Sequence, residues 1–131
     1  MAHVLVFAET RGGELRKVAL EAVTAAVTLA AQSGGGEVHA VVAGAAGIAA
    51  RADALAQHGA DKVMVLEHAG FAFYNPEALA ATLAQVLGSG TYGYAVFSAT
   101  SHGRDLSPRV AAKLGSGLVP DLTGFRIEGG A

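Results

Sequence analysis

Apolar and polar residues follow one another along the chain in blocks that predict strands alternating with helices. Residues 3–8 are an apolar, partly β-branched run without polar interruptions, which is typical of a strand buried on both faces. Residues 14–32 instead carry polar side chains at every third or fourth position, the period of a helix with one narrow solvent-facing side. The glycines at 34–36 follow this helix and favour its termination.

The same order of strand and helix recurs along the rest of the chain. Strands are predicted at residues 37–43, 62–66, 94–98 and 117–119, and helices at residues 48–58, 76–87 and 104–114, with Pro76 at a first helical position. Residues 122–128 alternate in polarity and predict a half-exposed edge strand. Because parallel strands need right-handed crossovers, the predicted fold is α/β, a three-layer doubly wound parallel sheet with a terminal edge strand.

The composition indicates one domain with a buried core. The chain has 131 residues, of which 52% are hydrophobic and 15% charged, and this balance excludes a disordered polar chain. The absence of cysteine excludes disulfides, thiolate nucleophiles and cysteine-ligated zinc or iron–sulfur clusters. We therefore expect residues 1–131 to be a single domain.

Charge and hydropathy patterning bear on partners and location. A formal net charge of −2 supplies no basic surface for nucleic acid or anionic lipid, so we expect neither partner. The first residues lack the basic segment of a secretion or transit signal, and no apolar run reaches the ~18 residues of a membrane span. We expect a cytoplasmic protein that does not insert into membranes.

Ligands of doubly wound sheets lie beyond the carboxyl ends of the strands, so the turns there are the candidate sites. The turn at residues 9–14 has neither GxGxxG nor GxxxxGK[ST]; Glu9 there could orient a substrate, cap the backbone or pair with Arg11, and a structural role is favoured. The turn at residues 43–47 could form an anion nest, but it has no adjacent basic residue, and tight strand-to-helix packing is favoured.

Motifs of catalysis and metal binding are missing from the sequence. The five histidines never form HxH or HExxH, so no metal site is predicted, and His39 is expected in the core or at a sheet edge. There is no GxSxG motif, and the neighbouring Ser101 and His102 would point apart. We expect no catalytic residue and no enzymatic activity in this chain.

The turn at residues 100–108 is the richest in polar groups. The favoured interpretation is a capped helix, in which Asp105 or Ser107 caps the first turn, Pro108 helps to start it and Gly103 permits a bend. Asp105 and Arg109 have the i, i+4 spacing of an ion pair.

Arg104 is harder to explain by helix capping. A cation near a helix N-terminus needs an acidic partner or a phosphate, and local spacing places no acid beside it. We therefore predict that Arg104, with Asp105 and Arg109, contributes to an interdomain or intersubunit contact. An alternative is a nucleotide site with Thr100, Ser101 and Gly103 near a phosphate.

Residues 99–115, ATSHGRDLSPRVAAKLG, resemble the signature turn and helix of the electron transfer flavoprotein α subunit. Residues 4–9 (VLVFAE), 58–63 (HGADKV) and 118–124 (LVPDLTG) agree with the same family in register, so the resemblance spans nearly the whole chain. It implies an α/β domain of the adenine-nucleotide-hydrolase and universal-stress-protein type.

The resemblance also implies a function and a set of partners. In that family the α subunit pairs with a β subunit that holds AMP, and the heterodimer carries electrons from acyl-CoA and related dehydrogenases to a membrane quinone oxidoreductase. FAD is held mainly by a second, C-terminal α-subunit domain. The chain ends at Ala131, before any such domain, so we expect the N-terminal domain alone, a scaffold and interaction domain with no FAD-binding residues.

Two functions of other classes stay open on the sequence. One is a small regulatory domain of universal-stress-protein type that binds AMP or ATP. The other is a flavodoxin-like FMN carrier, which needs hydroxyl groups after the first strand, where Thr10 stands alone.

Overall fold

The computed structural model describes residues 3–88, 92–98 and 100–115, and the backbone of residues 124–126. The strands are β1 (His3–Ala8), β2 (Thr10–Arg11), β3 (Glu14–Leu15), β4 (Val38–Gly44), β5 (Lys62–Glu67), β6 (Tyr92–Val96) and β7 (Gly124–Arg126). The α-helices are α1 (Lys17–Gln32), α2 (Ala52–Gln57), α3 (Pro76–Leu87) and α4 (Ser101–Leu114), and single 3₁₀ turns lie at Ile48–Arg51 and Ala69–Phe71.

One sheet of five strands organises the fold, in the order β5-β4-β1-β6-β7. Four of these strands, β5, β4, β1 and β6, are parallel, with Val4 of β1 opposite Val38 of β4. The fifth, β7, pairs antiparallel with β6 at the edge. The chain builds outward from β1 through β4 to β5 and then returns to the other side of β1 for β6. This confirms the predicted α/β doubly wound sheet and places an edge strand inside the predicted range 122–128.

Helices cover both faces of the sheet because successive strand side chains point to opposite sides. On one face, Val4 and Val6 pack with the buried stripe of α1, which is mainly alanine and lets the helix lie close to the sheet. On the other face, Leu5 and Phe7 pack with α3 and α4. All four of these β1 side chains are buried, so β1 is the central strand that its unbroken apolar run predicts.

The predictions for three helices were wrong in part. The helix predicted from residue 14 begins at Lys17, because Gly12 and Gly13 both have positive φ and form the two-residue turn of the β2–β3 hairpin. The helix predicted at 48–58 is a 3₁₀ turn followed by the short α2. The helix predicted from residue 104 begins at Ser101.

Two of the strand predictions are not matched in full by the described residues. The strand predicted at 94–98 is shifted toward the N-terminus, since β6 covers Tyr92–Val96. The strand predicted at 117–119 lies outside the described residues. Within the described part of the chain, no helix has both the length and the apolar character needed to cross a membrane.

Candidate functional site

Thr100 caps α4, the helix that follows the last parallel strand. Its hydroxyl accepts a hydrogen bond from the Gly103 amide at 3.1 Å, and its carbonyl accepts one from the Arg104 amide at 2.8 Å. The predicted caps, Asp105 and Ser107, lie within the helix instead, because Thr100 already satisfies a first-turn amide.

Pro108 was predicted near the helix start and lies in the helix interior. It is exposed, and its ring nitrogen has no proton to donate to the carbonyl one turn earlier. Gly103 makes no bend: it is buried in the first turn, and a Cβ built on it would lie 1.8 Å from the Ser98 carbonyl oxygen. The glycine is therefore needed for the close approach of α4 to the end of β6.

The crevice between the carboxyl ends of β1 and β6 is the topological switch point, the usual ligand position of doubly wound sheets. Here it contains the carboxylate of Glu9, which is only 3% exposed. Arg16 Nη1 donates to Glu9 Oε2 at 2.5 Å, and Thr100 Oγ1 donates to Glu9 Oε1 at 2.5 Å. The Ser98 hydroxyl adds a bond to the Val18 carbonyl at 3.2 Å, so the polar groups at the crevice are paired with other groups of the chain.

This arrangement resolves the alternatives for Glu9. Its partner is Arg16 rather than Arg11, because the hairpin turns the chain back and brings residue 16 beside residue 9, where the Arg16 amide also donates to the Glu9 carbonyl at 3.2 Å. The Glu9 side chain thus ties the end of β1 to the starts of α1 and α4. A structural role explains its burial.

The three residues of the alternative nucleotide site do not converge on an open space. The Thr100 hydroxyl both donates to Glu9 and accepts from Gly103, and Gly103 is buried against Ser98. Ser101 is exposed at the start of α4. Nucleotide binding at these residues stays a prediction.

A cavity of about 590 Å³ lies over the carboxyl ends of β1 and β4 and reaches Glu9 and His102 at the crevice. Its volume lies in the range of small-molecule sites. The β2–β3 hairpin forms one wall, and aromatic side chains from residues 71–74 form another, with Phe73 87% exposed. The cavity thus combines a polar hairpin wall with an aromatic one.

Most charged groups around the cavity are already paired. Arg51 donates to the Gly13 carbonyl at 2.9 Å and forms an ion pair with Glu14, which holds the hairpin against the turn after β4. The Gly47 amide in that turn donates to Glu67 Oε1 at 3.2 Å, so this backbone donor is already bonded to a carboxylate of the chain.

The small residues after β4 serve close packing, as the sequence analysis favoured. A Cβ on Gly44 would lie 2.7 Å from Ile48 Cγ1, so the glycine lets the 3₁₀ turn lie directly on the strand end. Ile48 is itself buried, at 3% exposure, in the core beneath this turn.

Asp105 and Arg109, two of the predicted interface residues, belong to an ion-pair network within the chain. Arg109 Nε donates to Asp105 Oδ1 at 3.2 Å, which confirms the i, i+4 pair, and Arg109 Nη1 donates to Glu77 of α3 at 2.5 Å. The Tyr74 hydroxyl donates to Asp105 Oδ2 at 2.7 Å, and the Tyr74 ring stacks on His102 with centroids 4.0 Å apart. The network ties α4 to α3 and to the loop before it.

The same contacts shift the pKa values of the network. The hydrogen bond from Tyr74, aided by Arg109, lowers the pKa of Asp105, so this carboxyl is charged at neutral pH. Burial, and then the bond to Asp105, raise the pKa of Tyr74 well above its usual range, so the phenol keeps its proton. The network thus holds a fixed charge pattern at neutral pH.

Arg104 differs from Asp105 and Arg109 in its lack of an ion pair among the described residues. It is exposed in the first turns of α4, and no acidic side chain of the described residues forms an ion pair with it. The first turn of α4 contains no acidic residue either. The expectation of an acid in another chain or domain therefore stays a prediction.

A cluster of possible metal ligands that the sequence motifs missed lies at the opposite end of the sheet, where the parallel strands begin. His3, Glu37 and His39 come together there, and His39 is 7% exposed, as expected for a core or edge residue. The signal in the sequence is the spacing of Glu37 and His39 two residues apart at the start of a strand, which places both side chains on one face.

Several known proteins are similar to this chain over nearly its whole length. The family model described as "Electron transfer flavoprotein domain" matches residues 4–131. The chain is 35% identical to the electron transfer flavoprotein subunit alpha of Bacillus subtilis and 38% identical to that of Mycobacterium tuberculosis, over 97% and 99% of its length. It is also 34% identical, over 95% of its length, to the acryloyl-CoA reductase electron transfer subunit beta of Anaerotignum propionicum. The chain spans only 38%, 39% and 34% of these three proteins.

Proposed function

Because the chain belongs to the electron transfer flavoprotein domain family, we propose that it is the scaffold and interaction domain of an α subunit in a heterodimeric electron carrier. In this proposal residues 1–131 correspond to the N-terminal domain. A further domain of the α subunit holds the FAD, and the chain itself performs no catalysis. The partner subunit is an electron transfer flavoprotein β subunit.

The observation that carries this proposal is the internal pairing of the buried Glu9 at the crevice between β1 and β6. A doubly wound domain that holds a nucleotide or flavin keeps this crevice open to backbone amides and a phosphate. Here the carboxyl end of β1 instead carries the buried Glu9 carboxylate, which is bonded to Arg16 and Thr100 of the same chain. These contacts support a packing role for the strand ends.

The electron donors and acceptors belong to the same proposal. We place acyl-CoA and related dehydrogenases on the donor side and a quinone oxidoreductase on the acceptor side. Support for acyl-CoA enzymes comes from the Anaerotignum propionicum relative, which is named for an acryloyl-CoA reductase. The proposed location of the heterodimer is the cytoplasm.

A direct test asks what the 131-residue chain binds. We expect the purified chain, incubated with FAD or FMN and passed through gel filtration, to show no flavin absorbance. We expect millimolar AMP or ATP to leave its thermal unfolding midpoint unchanged, whereas a ligand at 100 times its dissociation constant would stabilise it by about 2.7 kcal/mol.

The possible results separate the competing functions. A yellow preparation would contradict the scaffold proposal and favour a flavin carrier. A midpoint raised by AMP or ATP would favour the nucleotide-binding regulatory domain, for which the 590 Å³ cavity beside Arg11 offers the space. The variant Thr100→Val would then test whether the predicted nucleotide residues contribute.

The predicted interface residues are tested best through Arg104. Asp105 and Arg109 also hold α4 to α3, so their variants would disturb the domain and the interface together. Arg104→Ala removes an exposed side chain without an ion pair among the described residues. We expect it to leave the unfolding midpoint of the chain unchanged and to weaken heterodimer assembly about tenfold, measured by size-exclusion chromatography.

Lys113→Ala is the matched control for this experiment. Lys113 is an exposed cation on the same helix, near its C-terminal end, where a cation suits the helix dipole. It should leave assembly unchanged. Assembly that is equally strong for the wild type, Arg104→Ala and Lys113→Ala would contradict the interface role.

A further inference from the structure

The cluster of His3, Glu37 and His39 lies at the amino-terminal edge of the sheet, at the end opposite the cavity. His3 is the first residue of β1, Glu37 directly precedes β4, and His39 is the second residue of β4. β1 and β4 are paired side by side, with Leu5 opposite His39. One possible ligand atom from each of the three side chains lies within 4.8 Å of the other two.

We propose that this cluster is a binding site for a zinc-class divalent metal ion. Its ligands would be one ring nitrogen of His3, the Glu37 carboxylate and Nε2 of His39. Two imidazoles and one carboxylate are a known three-residue ligand set for zinc, whose fourth position is filled by water. The Glu37 side chain is 46% exposed, so water reaches the carboxylate.

The distances are compatible with coordination after small side-chain movements. Ligand atoms on a tetrahedral zinc ion lie roughly 3.3 Å apart, given bonds of about 2.0–2.1 Å. His39 Nε2 and Glu37 Oε1 are already 2.9 Å apart, with a proton between them that the metal would replace. The His3 ring, whose centroid is 4.9 Å from that of His39, closes the remaining distance.

Tyr92 supplies the outer support that metal-bound histidines commonly have. Its hydroxyl lies 2.7 Å from His39 Nδ1, and both groups are buried. This bond holds the His39 ring in place and directs Nε2 toward Glu37. Tyr92 belongs to β6, so the cluster draws on three of the parallel strands.

Two contacts of the cluster oppose metal binding. The Glu37 amide donates to His3 Nδ1 at 2.9 Å. A neutral imidazole bound to metal through one nitrogen carries its proton on the other, so this amide loses its acceptor whichever nitrogen binds. Lys62 Nζ, on a side chain 65% exposed, lies 3.9 Å from Glu37 Oε1 and repels a second cation. We therefore expect His3 to be the weakest ligand and Lys62 to reduce the affinity.

The test is titration of the metal-free 131-residue chain with Zn²⁺ by calorimetry, and with Co²⁺ by visible absorbance. We expect one ion per chain, tetrahedral Co²⁺ bands, and an unfolding midpoint raised by about 5 °C or more at saturating Zn²⁺. Glu37→Gln and His39→Asn should each weaken Zn²⁺ binding by at least about tenfold, and His3→Ala by less. Lys62→Gln should tighten binding about threefold.

His68→Gln is the matched control, because His68 is exposed and follows β5 at the other end of the sheet. It should bind Zn²⁺ as the wild type does. Should His39→Asn fail to fold, the half-exposed Glu37→Gln still decides. Absence of saturable Zn²⁺ binding, or equal losses in Glu37→Gln and His68→Gln, would overturn the proposal.

Discussion

Gly103→Ala is expected to lower the free energy of unfolding by about 2–3 kcal/mol, although alanine favours helices over glycine by about 1 kcal/mol. The added methyl group would lie 1.8 Å from the Ser98 carbonyl oxygen, far inside contact distance. The new Cβ and the Ser98 carbonyl oxygen are both fixed to the backbone, so no side-chain rotation relieves the overlap. The first turn of α4 must move away from β6, and urea denaturation monitored by circular dichroism measures the cost.

Ser101→Ala is the control for this substitution. Ser101 lies in the same turn, but it is exposed, so its change should stay within about 0.5 kcal/mol. Displacement of α4 would also weaken the helix cap, in which the Gly103 amide donates to Thr100 Oγ1 at 3.1 Å. A Gly103→Ala variant as stable as the wild type would show that the helix does not depend on this close approach.

The parts of the fold that sequence patterns predicted are those governed by burial and local conformation. β1 was predicted with its correct ends because six successive residues suit a strand covered on both faces. α3 was predicted from Pro76 to Leu87 because proline suits a first helical position, which fixes the start of the helix locally.

The start of α4 could not be predicted because it depends on contacts between distant residues. Locally, Asp105 or Ser107 suits a cap before Pro108 as well as Thr100 suits one before Gly103. The choice is made by Ser98, whose carbonyl admits only a glycine in that turn, and by Glu9, which accepts a bond from Thr100 across 91 positions of sequence. Neither contact has a local signal.

The hairpin before α1 is a different case, because its signal was present. Gly12-Gly13 between short strand-forming segments is a known two-residue turn. The prediction followed the helical period that begins at residue 14 and did not include the hairpin. With the hairpin missing, Arg16 was placed inside a helix rather than beside Glu9, so the central ion pair was missed as well.

Removal of Arg16 is the second change with a large expected effect. Arg16→Met should lower the free energy of unfolding by about 3 kcal/mol, because it leaves the Glu9 carboxylate buried with Thr100 as its remaining side-chain partner. The Glu9 side chain is 4% exposed and cannot turn to water, whereas Arg16 is 36% exposed. Chemical denaturation of the variant measures the loss.

Arg51→Met provides the matched comparison, because Arg51 has the same 36% exposure but pairs with Glu14, which is 69% exposed. Its loss should cost about 1 kcal/mol or less, since an exposed carboxylate regains water. In a Glu9→Gln background, Arg16→Met should also cost only about 1 kcal/mol, since no buried charge is left unpaired. Equal losses for Arg16→Met in both backgrounds would mean that the side chain acts by packing. The ion pair of Arg16 with Glu9 would then not stabilise the end of β1, and the support that this pair lends to the proposed function would be lost.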